Sequence, residues 1–339
     1  MLFFDRTTSI GIDVGCYSIK VAVLSSNKRE VANLFEIEIM PDREFIEQCA
    51  SEESMKIKLE EVLKNFAETN IKFKKDIVTA IPDESSICRY LELPKLEKSK
   101  LETAVRSSSL KQIPYSIDEV ILNFIPVNPL SAGKDMQGIF FYAIKKTEIN
   151  KMMELFKKLG ITLKSMELSS LALIKEFNLN HGKIPNETIA LINIGARSTT
   201  IIVLRDGLPY FIRNIAIAGN NFTYAIQMGL QIKWSEAERN KKNFNALKKD
   251  VAFEPLFVKW LHQINKNLKA FENIEKNPDL KIKKVYLSGG SSKLIGIDER
   301  LREEIKIEVI PDSWNKIKPI GKLNDISISS FGTSLGLVL

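Results

Sequence analysis

A strand, a glycine turn and a returning strand occur twice in this chain. The first copy runs Ile10-Gly11-Ile12-Asp13-Val14-Gly15-Cys16-Tyr17-Ser18-Ile19-Lys20-Val21-Ala22-Val23-Leu24. The second runs Ala190-Leu191-Ile192-Asn193-Ile194-Gly195-Ala196-Arg197-Ser198-Thr199-Thr200-Ile201-Ile202-Val203-Leu204. Each reads as a buried-type apolar run, a tight turn of glycine and small hydroxyl residues, and a second run rich in β-branched residues. That is the pattern of a β-hairpin, not of a strand-to-helix P-loop. Gly15 and Gly195 leave the turns free to bring backbone N–H groups close to a ligand. Two such hairpins on similar domains, facing each other across a cleft, would grip phosphates from both sides. The repeat therefore predicts a nucleotide clamp.

A chain of 339 residues is too long for one ordinary core and suits two lobes, which its 44% hydrophobic content is enough to fill. No window reaches the apolar length of a membrane span, and Met1-Leu2-Phe3-Phe4 meets Asp5 and Arg6 too soon for a signal peptide. The expectation is a soluble, cytoplasmic protein. Cys16, Cys49 and Cys88 have no metal-ligand spacing and read as reduced thiols, and His181 and His262 are isolated in sequence. Histidine-centred catalysis and histidine-rich metal sites are thereby disfavoured. The net charge of +7 comes from lysines interleaved with glutamates, as in Lys56 to Lys64, which is a solvated surface rather than a nucleic-acid face. Nor is there aromatic-basic interleaving of the kind that stacks single strands.

The first hairpin continues into a strand over Glu30 to Ile39, then a helix with Met55, Leu59, Val62, Leu63 and Phe66 as its stripe, then a strand from Asp76 to Pro82. That order is half of a ribonuclease H-like layered α/β unit. Residues 83–137 interrupt it and predict a small inserted α+β subdomain: strands at Ile87 to Leu93 and Val120 to Val127, a helix at Lys98 to Leu110, and turn residues Asn128, Pro129, Ser131 and Gly133. Gly138 to Ile144 is expected to return to the first lobe's sheet. A helix from Thr147 stopped by Gly160, a strand over Ile161 to Glu167 and a helix over Ser169 to Phe177 follow. The first lobe thus takes 1–82 and 138–184. The second takes 185–326, with helices at Asn221 to Met228, Ser235 to Leu247, Phe253 to Asn273 and Ile295 to Ile305, and a strand at Lys284 to Leu287 running into Ser288-Gly289-Gly290-Ser291-Ser292. Residues 327–339 are expected to form a C-terminal helix packing back on the first lobe, its small residues Gly332, Ser334 and Gly336 allowing close approach.

Several motifs fall in a shared order. They are Gly11 to Lys20, Gln112-Ile113-Pro114 leading into Ile117-Asp118-Glu119-Val120, Asn193 to Thr200, Phe211-Ile212-Arg213 before Ala218-Gly219, Ala237-Glu238 with Lys241, and Val285 to Lys293. Each is weak alone, but order and separation make the set specific. Over nearly its whole length the chain resembles the PilM family of actin-like ATPases, with FtsA as a more distant likeness. The resemblance implies a two-lobed actin-like, ribonuclease H-like α/β fold that carries a small inserted subdomain and binds ATP with Mg²⁺.

Residue by residue, it implies that Asp13 holds Mg²⁺ through water, against a plain turn aspartate as the alternative. Lys20 would meet the β- and γ-phosphates as a point charge, or else be an exposed strand lysine. Gly15, Cys16, Tyr17 and Ser18 form the first phosphate turn, and Gly195, Ala196 and Thr199 the second. Gly289, Gly290, Ser291 and Lys293 would border the adenosine and α-phosphate, unless the glycines mark only a turn. Glu238 and Lys241, three apart on one helix face, would border the adenosine pocket or form a surface ion pair. Gly219-Asn220 stands where many relatives have two glycines. Asn193 is the main departure, because relatives usually carry aspartate there. Its amide accepts from a metal-bound water but brings no negative charge, or it is a core-edge residue. The expectation is a weak metal contact at Asn193 and at most slow ATP hydrolysis.

The resemblance also implies a partner, the N-terminal cytoplasmic segment of the inner-membrane protein PilN. That segment would lie in a groove beside the insert, with main-chain hydrogen bonds to strand edges. It further implies contact with the pilus assembly platform and its motor, membrane association only through partners, and an open question of self-association. The loop Ile113-Pro114-Tyr115 reads more simply as an ordered turn. Two other readings compete: a small-molecule kinase on the same fold, which lacks a convincing carboxylate base beyond Asp13, and an FtsA-like membrane tether, disfavoured because the chain ends at Gly336-Leu337-Val338-Leu339 without a basic amphipathic helix.

Overall fold

The computed structural model describes residues 9–24, 30–39, 52–67, 76–131, 135–248, 253–274, 280–313, 318–319 and 328–339. In chain order these form strands Ile10–Val14 (β1), Ser18–Leu24 (β2) and Glu30–Glu38 (β3), helix Glu52–Ala67 (α1), and strands Ile77–Ile81 (β4) and Ser86–Pro94 (β5). Helix Lys98–Ser109 (α2), strands Val120–Val127 (β6) and Met136–Lys145 (β7), helix Lys146–Lys158 (α3), strand Leu163–Leu168 (β8) and helix Ser169–His181 (α4) follow. Then come strands Thr188–Ile194 (β9), Thr199–Arg205 (β10) and Leu208–Ile215 (β11), and helices Gly219–Leu230 (α5), Trp234–Lys242 (α6) and Glu254–Glu272 (α7). The chain closes with strand Ile282–Ser288 (β12), helix Ile297–Ile305 (α8), strands Glu308–Pro311 (β13) and Lys318–Pro319 (β14), and helix Gly332–Gly336 (α9).

Two sheets share one plan. The first has the order β14-β3-β2-β1-β4-β8 and the second β11-β10-β9-β12-β13. In both, an antiparallel meander of three strands is followed by strands laid parallel to its first member. The register repeats as well: Asp13 lies opposite Lys20, and Asn193 opposite Thr200. Strands β1, β2, β9 and β10 are buried along almost their full length, which is why they read as continuous apolar runs. Among the described residues, no helix is long and apolar enough to cross a membrane.

Gly138 to Ile144 does not return to the first sheet. It lies within β7, the middle strand of a third sheet ordered β5-β7-β6. Both faces of β7 are covered: Ile139 and Phe141 pack with Leu101 and Val105 of α2, while Phe140 and Ile144 join the second lobe's core near β11. A strand buried on two sides carries no mark of which sheet owns it. The chain also crosses back to the first sheet before residue 327, because Lys318–Pro319 pairs with β3.

Other boundaries move for local reasons. Helix α4 runs on to His181 and ends at Gly182, whose φ of 83° suits a glycine stop. Helix α6 ends at Lys242 rather than Leu247, because Asn245 forms a bridge with Ile295 and Ala246 N–H donates to the Ile295 carbonyl. Gly296, at φ 77°, delays α8 to Ile297. The tail is α-helical only over Gly332–Gly336, after a 3₁₀ turn at Ile328–Phe331. Cys88 is a buried free thiol, but Cys16 is disulfide-bonded, contrary to the reduced state expected. Spacing along a chain does not say which sulfurs meet in the fold. Cys49, Gly133, Trp314 and the Phe66 side chain lie outside the described residues.

Candidate functional site

The two hairpin turns close with the same bond. Gly15 N–H donates to the Ser18 carbonyl at 3.1 Å, and Gly195 N–H to the Ser198 carbonyl at 3.0 Å. The second turn is then tied into its lobe: the Gly195 carbonyl accepts from Gly219 N–H at 3.0 Å and from Ser291 Oγ at 3.2 Å, and Asn220 N–H donates to the Ala196 carbonyl at 2.7 Å. The start of α5 and the 3₁₀ turn Gly290–Lys293 are thereby held against the hairpin.

Between the lobes lies a cavity of about 540 Å³, within the ordinary range for a small-molecule site. It brings together Asp13, Gly15, Cys16, Tyr17, Ser18, Lys20, Asn193, Gly195, Ala196, Glu238, Lys241, Gly289, Gly290, Ser291 and Lys293. Two of the expected residues stand back. Thr199 is buried, its Oγ1 donating to the Ile217 carbonyl and accepting from Trp260 Nε1, so it secures β10 to the core instead of facing the cavity. Gly219 is buried behind the wall, where an added Cβ would lie 2.3 Å from Ser291 Oγ.

Charge is arranged in pairs. Lys20 Nζ lies 2.5 Å from Ser18 Oγ and 3.2 Å from Glu36 Oε1, and it is largely enclosed, which removes the reading of an exposed strand lysine. Burial alone would raise the Glu36 carboxyl, but Lys20, the Ser18 hydroxyl and Lys293 outweigh it and hold the group below the ordinary carboxylate range. Asp13 is pushed up by burial, partly countered by Lys20, with Glu36 adding to the upward push. Lys241 Nζ donates to Glu238 Oε2 at 2.7 Å and to the Gly219 carbonyl at 3.3 Å, and Glu238 Oε2 also accepts from Thr223 Oγ1 at 2.5 Å. The pair Glu238–Lys241 is enclosed at both ends, so it is a wall of the cavity rather than a surface ion pair. Burial lowers the Lys241 and Lys293 ammonium groups.

In the loop after β12, glycine is required at Gly289 but not at Gly290. Gly289 has φ of 91°, and an added Cβ would lie 2.5 Å from Asn193 Oδ1 and from the Ile194 carbonyl oxygen. At Gly290 an added Cβ would meet no atom within 4 Å, so it would stand in open space beside the cavity. Glu36, Glu38, Asn220, Lys242, Leu294, Ser330 and Thr333 also line the cavity and were missed by sequence reasoning. Glu36 was within reach of it, because hairpin register places Glu36 opposite Lys20. Ser330 and Thr333 arrive from the far end of the chain and carry no local signal. Among the described residues, no group of three or more His, Cys, Asp or Glu side chains could cage a metal ion.

Comparisons with known proteins bear on the family and the fold. The family model for the type IV pilus assembly protein PilM matches residues 11–332. The cell division protein FtsA of Bacillus subtilis is 26% identical over 176 residues, an alignment that takes in 48% of this chain and 39% of that protein's length. A solved PilM-PilN type IV pilus biogenesis complex superposes with a TM-score of 0.81 at 22% identity, covering 98% of both chains. MreB5 of Spiroplasma citri bound to ADP superposes with a TM-score of 0.58 at 12% identity, covering 98% of this chain and 95% of its own. Fold, paired hairpins and family model agree: the chain belongs to the PilM family of type IV pilus assembly proteins, built on the actin-like fold.

Proposed function

We propose that the protein is an ATP-binding scaffold of the type IV pilus assembly platform, whose nucleotide state alters how it holds a PilN-like segment. The observation that carries this reading is the cavity in which two equivalent hairpin turns, one from each sheet, meet a glycine loop that only glycine can form. The donors fit a nucleotide. Lys20, Lys241, Lys242 and Lys293 supply positive charge, the turns supply N–H groups, and Gly290 leaves room. They also fit Mg²⁺ carried by phosphates and waters, because Asp13 and Asn193 offer oxygen acceptors without forming a cage. When bound, the ion would draw charge from the terminal phosphates. Asp13 would orient its waters, Asn193 would accept from one of them, and Lys20 would hold the phosphates.

A ligand gripped by both lobes favours the closed arrangement over the open one, and any surface that spans the lobes changes with it. The partner end of the reading rests on family membership and on the fold shared with the PilM-PilN complex. The test is calorimetric titration of a peptide carrying the N-terminal cytoplasmic segment of the cognate PilN, with ATP and Mg²⁺ and without. An affinity that differs by about fivefold or more is expected, a coupling of roughly 1 kcal/mol. Equal affinities would remove ATP from the control of that contact.

A further inference from the structure

A second cavity, of about 380 Å³, lies on the other side of the hairpin turns. It shares Asp13, Gly15, Cys16, Asn193, Gly195 and Ala196 with the first. The residues of the adenosine side, Glu238, Lys241 and Gly289 to Ser291, line only the first cavity. A triphosphate running from that side into the turns therefore presents its terminal phosphate to the second cavity. Asp83 lines this chamber from the 3₁₀ turn that follows β4 and Pro82, and it is only 3% exposed. Its Oδ1 accepts from Ser170 N–H at 3.1 Å and Ser170 Oγ at 2.5 Å, both at the start of α4, which fixes the carboxyl plane. Its Oδ2 makes no hydrogen bond among the described residues.

We propose that Asp83 is the proton acceptor for slow hydrolysis of ATP at this site, serving a water held in the second cavity. The proposal rests on the nucleotide reading above. In the step, the water oxygen bonds to the γ-phosphorus and the bond from that phosphorus to the β–γ bridging oxygen breaks. ADP leaves with the electron pair, and the water's proton passes to Asp83 Oδ2 and later to solvent. Neither hairpin residue fills the role: an asparagine amide such as Asn193 takes up no proton, and Asp13 is committed beside Lys20.

The surroundings suit a base. Burial, with the charges of Glu84 and Asp13 adding to it, holds the Asp83 carboxyl up at about 7 against the two bonds from Ser170, which pull it down. The other charged or titratable groups near it are Glu148 and Lys151 from α3, Arg197 from the second hairpin and Cys88 from β5, whose thiol burial lifts to about 12 and so keeps neutral.

Asp83→Asn keeps the shape of the side chain and an acceptor for Ser170. Two readouts are taken on wild type and variant. One is proton uptake when AMPPNP with Mg²⁺ binds at pH near 7, from calorimetry in buffers of different ionisation enthalpy. The other is single-turnover ATP hydrolysis from about pH 5.5 to 8.5. Wild type is expected to take up a fraction of a proton, because a nearby triphosphate disfavours the carboxylate, and Asp83→Asn none. The wild-type rate should rise about tenfold per pH unit and level off at or above about 7, while Asp83→Asn runs about 10²-fold slower with no such rise. Binding with equal hydrolysis in both proteins, a flat wild-type profile, or no wild-type turnover above the variant's would each overturn the assignment and leave the nucleotide reading standing. Absence of AMPPNP and ATP binding would overturn that reading as well.

Discussion

At Gly289 the backbone turns through φ 91°, and the space a methyl group would need is already held by Asn193 Oδ1 and the Ile194 carbonyl. Both facts act in the same direction. Strain at such a φ costs a non-glycine residue on the order of 1–3 kcal/mol, and the collision displaces Asn193, which lines the cavity together with Asp13. Gly289→Ala is therefore expected to lower stability by about that amount and to weaken ATP binding by at least about tenfold, read by thermal unfolding and nucleotide titration. A variant that binds ATP as tightly as wild type would show that the loop does not approach the ligand. Lys241 and Glu238 illustrate the same coupling of charge and burial. Each is held inside the wall by the other, 2.7 Å away, with Thr223 Oγ1 completing the partners of Glu238 and the Gly219 carbonyl those of Lys241.

Among the elements, α9 does more than its five residues suggest. It lies on α4 so closely that a Cβ on Gly336 would sit 1.8 Å from the Ala172 carbonyl oxygen, and one on Gly332 would sit 2.6 Å from Leu173 Cδ1. Just before it, the Ser329 carbonyl accepts from Gly289 N–H and Ser288 Oγ, and Ser330 and Thr333 line the larger cavity between the lobes. One short segment thus joins α4 of the first lobe to the glycine loop of the second. Glu176 of α4 is buried nearby with both carboxyl oxygens unpartnered among the described residues, and burial, with Asp312 adding to it, raises its pKa well above the carboxylate range. It stands as a neutral acid, which is how the interface tolerates it. Gly336→Val should force α9 off α4. The expected outcome is a loss of roughly 2–4 kcal/mol in stability, faster proteolysis of the C-terminal segment and weaker ATP binding. Destabilisation with unchanged nucleotide affinity would separate the segment from the site.

At the scale of the whole molecule, and among the described residues, ion pairs tie the second lobe across the cleft on either side of the hairpins: Lys242 to Glu38 at 3.5 Å, and Arg197 to Glu84, in the turn that follows β4, at 3.3 Å. Both are partly exposed, so each contributes about 0.2–1 kcal/mol at most and weakens with salt. Lys242→Glu is expected to widen the distance between fluorophores placed on the two lobes in nucleotide-free protein at low salt, and adding Glu38→Lys to restore it. A distance insensitive to both changes would mean that packing alone holds the cleft.

The residues of the two hairpins determined their own turns and their pairing, and so the place of Asp13, Gly15, Lys20, Asn193 and Gly195 at the ends of those hairpins, because hydrogen bonds between chain neighbours and alternation along a strand are local. Ownership of β7, the inward turn of Thr199, the disulfide at Cys16, the arrival of Ser330 and Thr333 at the cavity and the placing of Asp83 behind it were decided only by the assembled fold. Each depends on which surfaces meet across tens or hundreds of residues, and burial on two faces looks the same in sequence whichever partners supply it.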